Sequence, residues 1–205
     1  MITEERMTAY INSLDTGHTP FLEQLEREAK AAQVPIIRRE MQSFLKVFLA
    51  IQKPERILEV GTAVGFSTIL MAEYGRPDAR ITTIENYEKR FPVAEKNFQD
   101  SGYKDRITFL KGDAADVLKT LEGPYDLIFM DAAKGQYIHF LPEVLRLLAP
   151  GGVVISDNVL QDGDVIESRF AVERRNRTIH KRMREYLYAL KHDPALLTSI
   201  VPLGD

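Results

Sequence analysis

Asp131, Lys134, Asp157 and Asn158 are the residues of this 205-residue chain whose types and spacing most suggest chemistry. Two carboxylates and an amide form a hard-oxygen ligand set that suits Mg²⁺ before Zn²⁺, since the chain has no cysteine and no paired histidine. Lys134 stands three residues beyond Asp131. Beside a divalent cation the ammonium form of a lysine is disfavoured, which would let Lys134 act as a general base with Asp131 in the same catalytic group. Taken singly, an Asp can cap a helix and a Lys can form a surface ion pair. Their coincidence is what favours a site.

A second group surrounds Glu59-Val60-Gly61-Thr62-Ala63-Val64-Gly65-Phe66-Ser67-Thr68. Gly61 and Gly65 tolerate positive φ and let a backbone approach a ligand closely. The G-x-x-x-G spacing lacks the middle glycine that makes room for a pyrophosphate, which argues against a nicotinamide dinucleotide. Glu85 follows Gly61 by 24 residues, where an acidic side chain can take both hydroxyls of a ribose. A nucleoside without a pyrophosphate fits best. Asp113, in Lys111-Gly112-Asp113-Ala114, is read either as a neighbour of the adenine end or as the N-cap of the next helix, and both can hold together.

These residues need a scaffold that brings them together, and the hydrophobic pattern supplies one. Met7, Ile11 and Leu14, then Phe21 to Ala29, then Met41 to Leu49 recur at helical spacing, predicting three helices within residues 1–52. From Arg56 the pattern alternates. Strands are expected at Ile57 to Val60, Ile81 to Ile84, Ile107 to Leu110, Leu127 to Met130 and Val153 to Ile155. The helices between them are expected at Ser67 to Tyr74, Pro92 to Ser101, Ala114 to Leu121 and Tyr137 to Leu148. This implies a doubly wound α/β core over 56–205, with a mostly parallel sheet covered on both faces. The whole of 1–205 reads as one domain. In such a sheet ligands sit outside the carboxyl ends of the strands, and Glu85, Asp113, Asp131 and Asp157 all follow strand ends.

Composition excludes several classes. Zero cysteines removes disulfides, thiolate metal sites and Cys-nucleophile chemistry such as pyrimidine C5 methylation. No apolar run approaches the roughly 20 residues of a membrane span, and Met1 to Arg6 is charged, so a cytoplasmic protein is expected. Net charge is −3, yet Arg169 to Arg184 holds seven Lys/Arg against one Glu, a local +6. That asymmetry points towards an anionic partner.

In Ile57 to Thr68, Glu85, Phe129-Met130-Asp131-Ala132-Ala133-Lys134 and Asp157-Asn158-Val159 the sequence resembles the class I, cation-dependent O-methyltransferases that use S-adenosylmethionine. Catechol and caffeoyl-CoA O-methyltransferases belong to that group. The resemblance runs from about Arg38 to the end and implies a Rossmann-like methyltransferase sheet. It implies that Glu59, Gly61, Ser67, Glu85 and Ala114 line the cofactor, with Thr62 and Gly65 in the same turn, Asp113 adjacent and Ile37 near the methionine moiety. Asp131, which also borders the cofactor, would hold Mg²⁺ with Asp157 and Asn158, and Lys134 would be the base. A homodimer is implied as well. Members usually finish with a last strand after a Leu-Gly-Asp-Gly-like turn, whereas this sequence stops at Leu203-Gly204-Asp205, which bears on the sheet edge and on dimerisation.

The chemistry requires a substrate hydroxyl beside a second oxygen, which a catechol offers and 5-hydroxyuridine offers equally. Ile179, Met183, Tyr186, Leu187 and Leu190 fall at helical spacing and leave most of Arg174, Arg175, Arg177, Lys181, Arg182 and Arg184 on exposed faces, where they would suit a phosphate backbone. The stretch 174–183 resembles that of bacterial tRNA 5-hydroxyuridine methyltransferases, which modify the wobble position of the anticodon. The leading expectation is therefore methylation of that tRNA hydroxyl to 5-methoxyuridine. The alternative is a small catechol-like or caffeoyl-CoA-like phenol, with the basic helix merely solvated or in a dimer contact.

Overall fold

The computed structural model describes residues 5–203; Met1 to Glu4, Gly204 and Asp205 of the termini considered above lie outside the described residues. Three helices come first: α1 (Glu5–Ser13), α2 (Pro20–Ala31) and α3 (Arg39–Gln52). Pro20 opens α2 at a position where its missing N–H costs nothing. Leu22, Leu25 and Ala29 are buried along one side of α2, and Met41, Leu45 and Leu49 along one side of α3. Lys53, in left-handed conformation, ends α3 just before Pro54.

The core then alternates as read: β1 (Arg56–Val60), α4 (Phe66–Tyr74), β2 (Arg80–Glu85), α5 (Phe91–Asp100), β3 (Ile107–Lys111), α6 (Ala114–Thr120), β4 (Tyr125–Met130), α7 (Tyr137–Leu147), β5 (Leu148–Ser156) and α8 (Arg177–His192). The strands pair in parallel in the order β3-β2-β1-β4-β5. Side chains alternate across the sheet. Ile57, Ile81, Ile107, Leu127 and Phe129 face the core built by α2, α3, α4 and α5. Leu58, Val60, Ile84, Ile128 and Met130 face the core that buries side chains of α6, α7 and α8. Two of the three N-terminal helices thus complete one face of the sheet.

β5 differs from the strand expected at Val153 to Ile155. It begins at Leu148, directly after α7, because Tyr125 pairs with Leu148 while Leu127 pairs with Val153, so Ala149 to Gly152 bulge out between two registered stretches. Gly151 takes φ +76° there, a conformation that suits a residue without Cβ. The order reverses between β1 and β4, and that switch point is where an open parallel sheet binds ligands. Val60 pairs with Met130 and Met130 with Ser156, so Gly61, Asp131 and Asp157 come next in one row.

Candidate active site

A cleft of about 750 Å³ opens over that row. The ends of β1, β2 and β3 line one half with Gly61, Ala63, Glu85, Tyr87, Asp113 and Ala114; β4 and β5 line the other with Asp131, Lys134, Asp157 and Asn158.

The first half is tied together by carboxylates whose acceptors are filled. Glu85 is buried, and its oxygens accept from the backbone N–H of Ala63 at 2.7 Å, Asn86 at 3.0 Å and Tyr87 at 2.8 Å. It therefore fixes the turn after β1 to the end of β2, and the residue lines the cleft. Asp113 caps α6, as one of its two readings expects, by accepting from Ala115 N–H at 2.8 Å, and it also lines the cleft. Gly61 has φ +109°, and a Cβ there would stand 2.0 Å from the Asp131 carbonyl oxygen. At Gly65, φ +86°, a Cβ would meet the Phe98 ring at 2.6 Å. Both glycines make room for the protein itself.

Glu59, Thr62, Gly65, Ser67 and Ile37 do not line the cleft. Glu59 lies beneath it, wholly buried, accepting from Ser67 Oγ at 2.5 Å, Thr83 Oγ1 at 2.6 Å and the Thr68 hydroxyl, while Thr62 shares a 2.6 Å hydrogen bond with Thr83. Burial pushes the Glu59 carboxyl up to about 7, against the opposing effect of the three hydroxyl donors and with a further rise from the Asp131 charge. Ile37 packs in the core beside α3. Its neighbours Pro35, Ile36 and Arg38 reach the cleft, and Arg38 pairs with Asp162 at 2.8 Å on the loop after β5.

The second half is less saturated. Lys134 Nζ donates to Asp131 Oδ1 at 2.9 Å, to Tyr137 Oη at 3.1 Å and to the Asp157 carbonyl at 3.1 Å, which uses all three donors of an ammonium. Tyr137 is a participant the sequence reading missed, although it follows Lys134 by one helical step. Burial, then the charges of Asp131 and Asp157, hold its hydroxyl well above its ordinary range. It stays protonated and donates to the Met130 carbonyl at 2.9 Å. Asn158 has φ +56°, and its Oδ1 is buried with no hydrogen-bond partner. An orphaned buried oxygen is costly unless something cationic or donating meets it. A hard cation among Asp131, Asp157 and Asn158 would answer that need, so these residues fit the implied ion.

The basic run takes a mixed form. Arg174 and Arg175 lie in the 3₁₀ turn Arg174–Asn176 ahead of α8, and both are exposed, as is Lys181. Arg175 pairs with Glu173 at 2.7 Å and Lys181 with Glu185 at 3.6 Å. Arg177, Arg182 and Arg184 donate to the carbonyls of Val172 (3.3 Å), Gly135 (3.1 Å) and Val165 (3.4 Å). His180 is buried, 3.1 Å from the Glu167 carbonyl. Among the described residues no helix is long and apolar enough to cross a membrane.

A parallel 3-2-1-4-5 sheet with a cleft at its switch point, edged by Glu85 on one side and a lysine–carboxylate corner on the other, is a Rossmann-like α/β fold with its ligand site where such folds carry it. Residues 12–205 match the O-methyltransferase family model, and the chain belongs to that family. It is 35% identical over 161 residues to a catechol O-methyltransferase of Mycobacterium tuberculosis, covering 77% of this chain and 73% of that one. Among solved structures it is similar to the O-methyltransferase of Bacillus cereus in complex with SAH (S-adenosylhomocysteine), with TM-score 0.80, 28% identity, 92% of this chain and 86% of that one. It is also similar to an SAH-bound methyltransferase of Podospora anserina, with TM-score 0.86, 28% identity, 97% of this chain and 90% of that one.

Proposed function

We propose that the enzyme binds S-adenosylmethionine and methylates a hydroxyl lying beside a second oxygen on a small catechol-like or caffeoyl-CoA-like phenol, with Lys134 as general base. The observation that carries this is the corner where Lys134 meets Asp131, Tyr137 and the Asp157 carbonyl beside the unpartnered Asn158 oxygen. Glu85 would take the ribose, the Gly61 to Ala63 backbone the middle of the cofactor, and Asp113 with Ala114 its adenine end. Asp131, Asp157 and Asn158 would hold a divalent cation. When bound, the cofactor supplies a methyl group already electrophilic on its sulfonium, and the cation lowers the pKa of a hydroxyl chelated with its neighbour oxygen.

What remains for the chain is positioning and one proton. To act as the base, Lys134 would have to give up the proton it now donates to Asp131 Oδ1, a loss that a cation bound beside it would favour. Two N–H groups would then remain for Tyr137 Oη and the Asp157 carbonyl, and the lone pair would take the acceptor's proton so that the oxygen can attack in line with the S–CH₃ bond. Tyr137, held protonated, orients the amine without competing for that proton.

A second reading, methylation of 5-hydroxyuridine at the tRNA wobble position, draws on the loop between β5 and α8. Phe170 is 83% exposed there, next in the chain to exposed Arg169, and the Arg177 guanidinium lies 5.9 Å from its ring centre. An aromatic flanked by arginines suits stacked bases and phosphates. Against it, three of the run's arginines are engaged on backbone carbonyls and two more of its cations are ion-paired. The smaller acceptor is therefore put first.

Both readings are tested by one assay: labelled methyl transfer from S-adenosylmethionine to a catechol panel and, in parallel, to tRNA carrying 5-hydroxyuridine, with Mg²⁺ or with chelator. Labelled catechol, lost on chelation, is the expected result. Label confined to tRNA would replace the first reading by the second, and transfer undiminished by chelator would remove the cation from both.

A further inference from the structure

Helix α8 bears directly on the catalytic corner through Tyr186, expected on its apolar side, and Arg182, expected among its exposed basic residues. Arg182 and Met183 stand three and four residues after Ile179, and Tyr186 four and three residues after them, so the four share one side of the helix. Met183 and Tyr186 are wholly buried. On that side Arg182 Nη1 donates to the carbonyl of Gly135 at 3.1 Å. Gly135 is buried and follows Lys134 directly in the 3₁₀ turn Lys134–Gln136. A Cβ on Gly135 would stand 3.5 Å from Ile179 Cγ1 and 3.9 Å from Arg182 Nη1, so the turn lies in close contact with α8.

One helical step on, Tyr186 shares a 2.6 Å hydrogen bond with Ser156, the residue before Asp157. Its ring packs edge-on against Tyr137 at 5.5 Å between centres, and Tyr137 is the hydroxyl that accepts from Lys134. The helix therefore meets the Lys134 corner from two directions. Arg182 holds the backbone that carries the lysine, and Tyr186 backs the tyrosine that orients its amine.

We infer that Arg182 is a positioning residue for Lys134, setting where the amine stands by fixing the Gly135 carbonyl, and not a contact for an anionic substrate. The inference rests on the reading of Lys134 as the base. A lysine amine sits at the end of four rotatable bonds, so its useful placement depends on where its backbone is fixed and on the acceptors at its tip. Near-attack geometry is steep in distance, and a shift of about 1 Å can cost roughly a hundredfold in rate. The guanidinium is partly buried against a single neutral carbonyl. That contact spends one of the guanidinium's five donors on bracing a short turn.

The test compares R182M, R182K, R184M and K134M with the wild type on the acceptor that the wild type turns over. The measurements are kcat, acceptor KM, SAH affinity by calorimetry and thermal midpoint. R182M is expected to lose about tenfold in kcat while acceptor KM and SAH affinity stay within about twofold, the signature of an interaction that matters at the reacting centre. R182K, which keeps a donor, should recover more than half of that loss on a logarithmic scale. R184M removes an equivalent charge and its own carbonyl contact to Val165, and should change kcat by less than about twofold.

Should R182M fail to fold, Arg182→Gln, polar but too short to reach Gly135, must show the same selective fall in kcat. Wild-type kcat in R182M or R182Q, or an equal fall in R184M, overturns the inference. If K134M retains turnover, the reading of Lys134 fails instead. An inactive K134M beside a fully active R182M sinks only the role of Arg182.

Discussion

The two halves of the cleft are built on opposite principles. Under β1 and β2, polar groups are saturated: Glu59 accepts from three hydroxyls, and Glu85 from three backbone amides. At the ends of β4 and β5 the Asn158 oxygen is orphaned, and the Lys134 donors are spent on groups that a substrate or ion would rearrange. A saturated half is rigid and suits a cofactor that must be held the same way at every turnover. An unsaturated half stores interactions for what arrives. The lesson is that binding and chemistry are separable here, and mutations should separate them.

The largest effect is expected where the halves touch. A Cβ at Gly61 would drive into the Asp131 carbonyl and cannot relax at φ +109°. Gly61→Ala should cost about 4 kcal/mol or more, lowering the thermal midpoint by roughly 10 °C or abolishing folding, as calorimetry would read. Next comes Asn158→Ala, which removes the orphaned oxygen. If the proposed cation site is right, it should raise the Mg²⁺ concentration needed for half-maximal turnover by about tenfold or more while SAH binding stays near wild type, whereas equal loss of both would dissolve the division.

A smaller effect concerns pH. Between 4.5 and about 7 folded Glu59 holds a proton the unfolded chain has released. Stability from this group is complete below 4.5 and falls as pH rises through about 7. Glu59→Gln should flatten the fall in thermal midpoint between these values, and a slope unchanged from wild type would place its cause elsewhere. The smallest effect belongs to Asp162→Ala. Its ion pair with Arg38 is largely exposed, so SAH affinity and stability should shift by less than about 1 kcal/mol.

Much of this was legible in the sequence, because a strand buried on both faces is a run of apolar residues and its end is marked by the first polar ones. Leu127 to Met130 followed by Asp131 shows that clearly. The G-x-x-x-G turn also announced positive φ, though not that Asp131 and Phe98 are what press on it. Less legible was anything set by tertiary contact. The start of β5 at Leu148 is hidden by Pro150, Gly151 and Gly152, which signal a turn and here form a bulge inside a paired strand. Burial of Glu59 beneath the cleft could not be read from its type. Nor could the division of labour in the basic run, since helical spacing shows which face an arginine shares but not that a carbonyl of another loop waits there.

The most direct test of the division is to measure SAH affinity and methyl transfer on one preparation of Lys134→Met. An SAH dissociation constant within about twofold of wild type, with turnover reduced by about a hundredfold or more, is the predicted result. Turnover kept, or SAH affinity lost together with it, would contradict an acceptor corner that works on a cofactor half built independently of it.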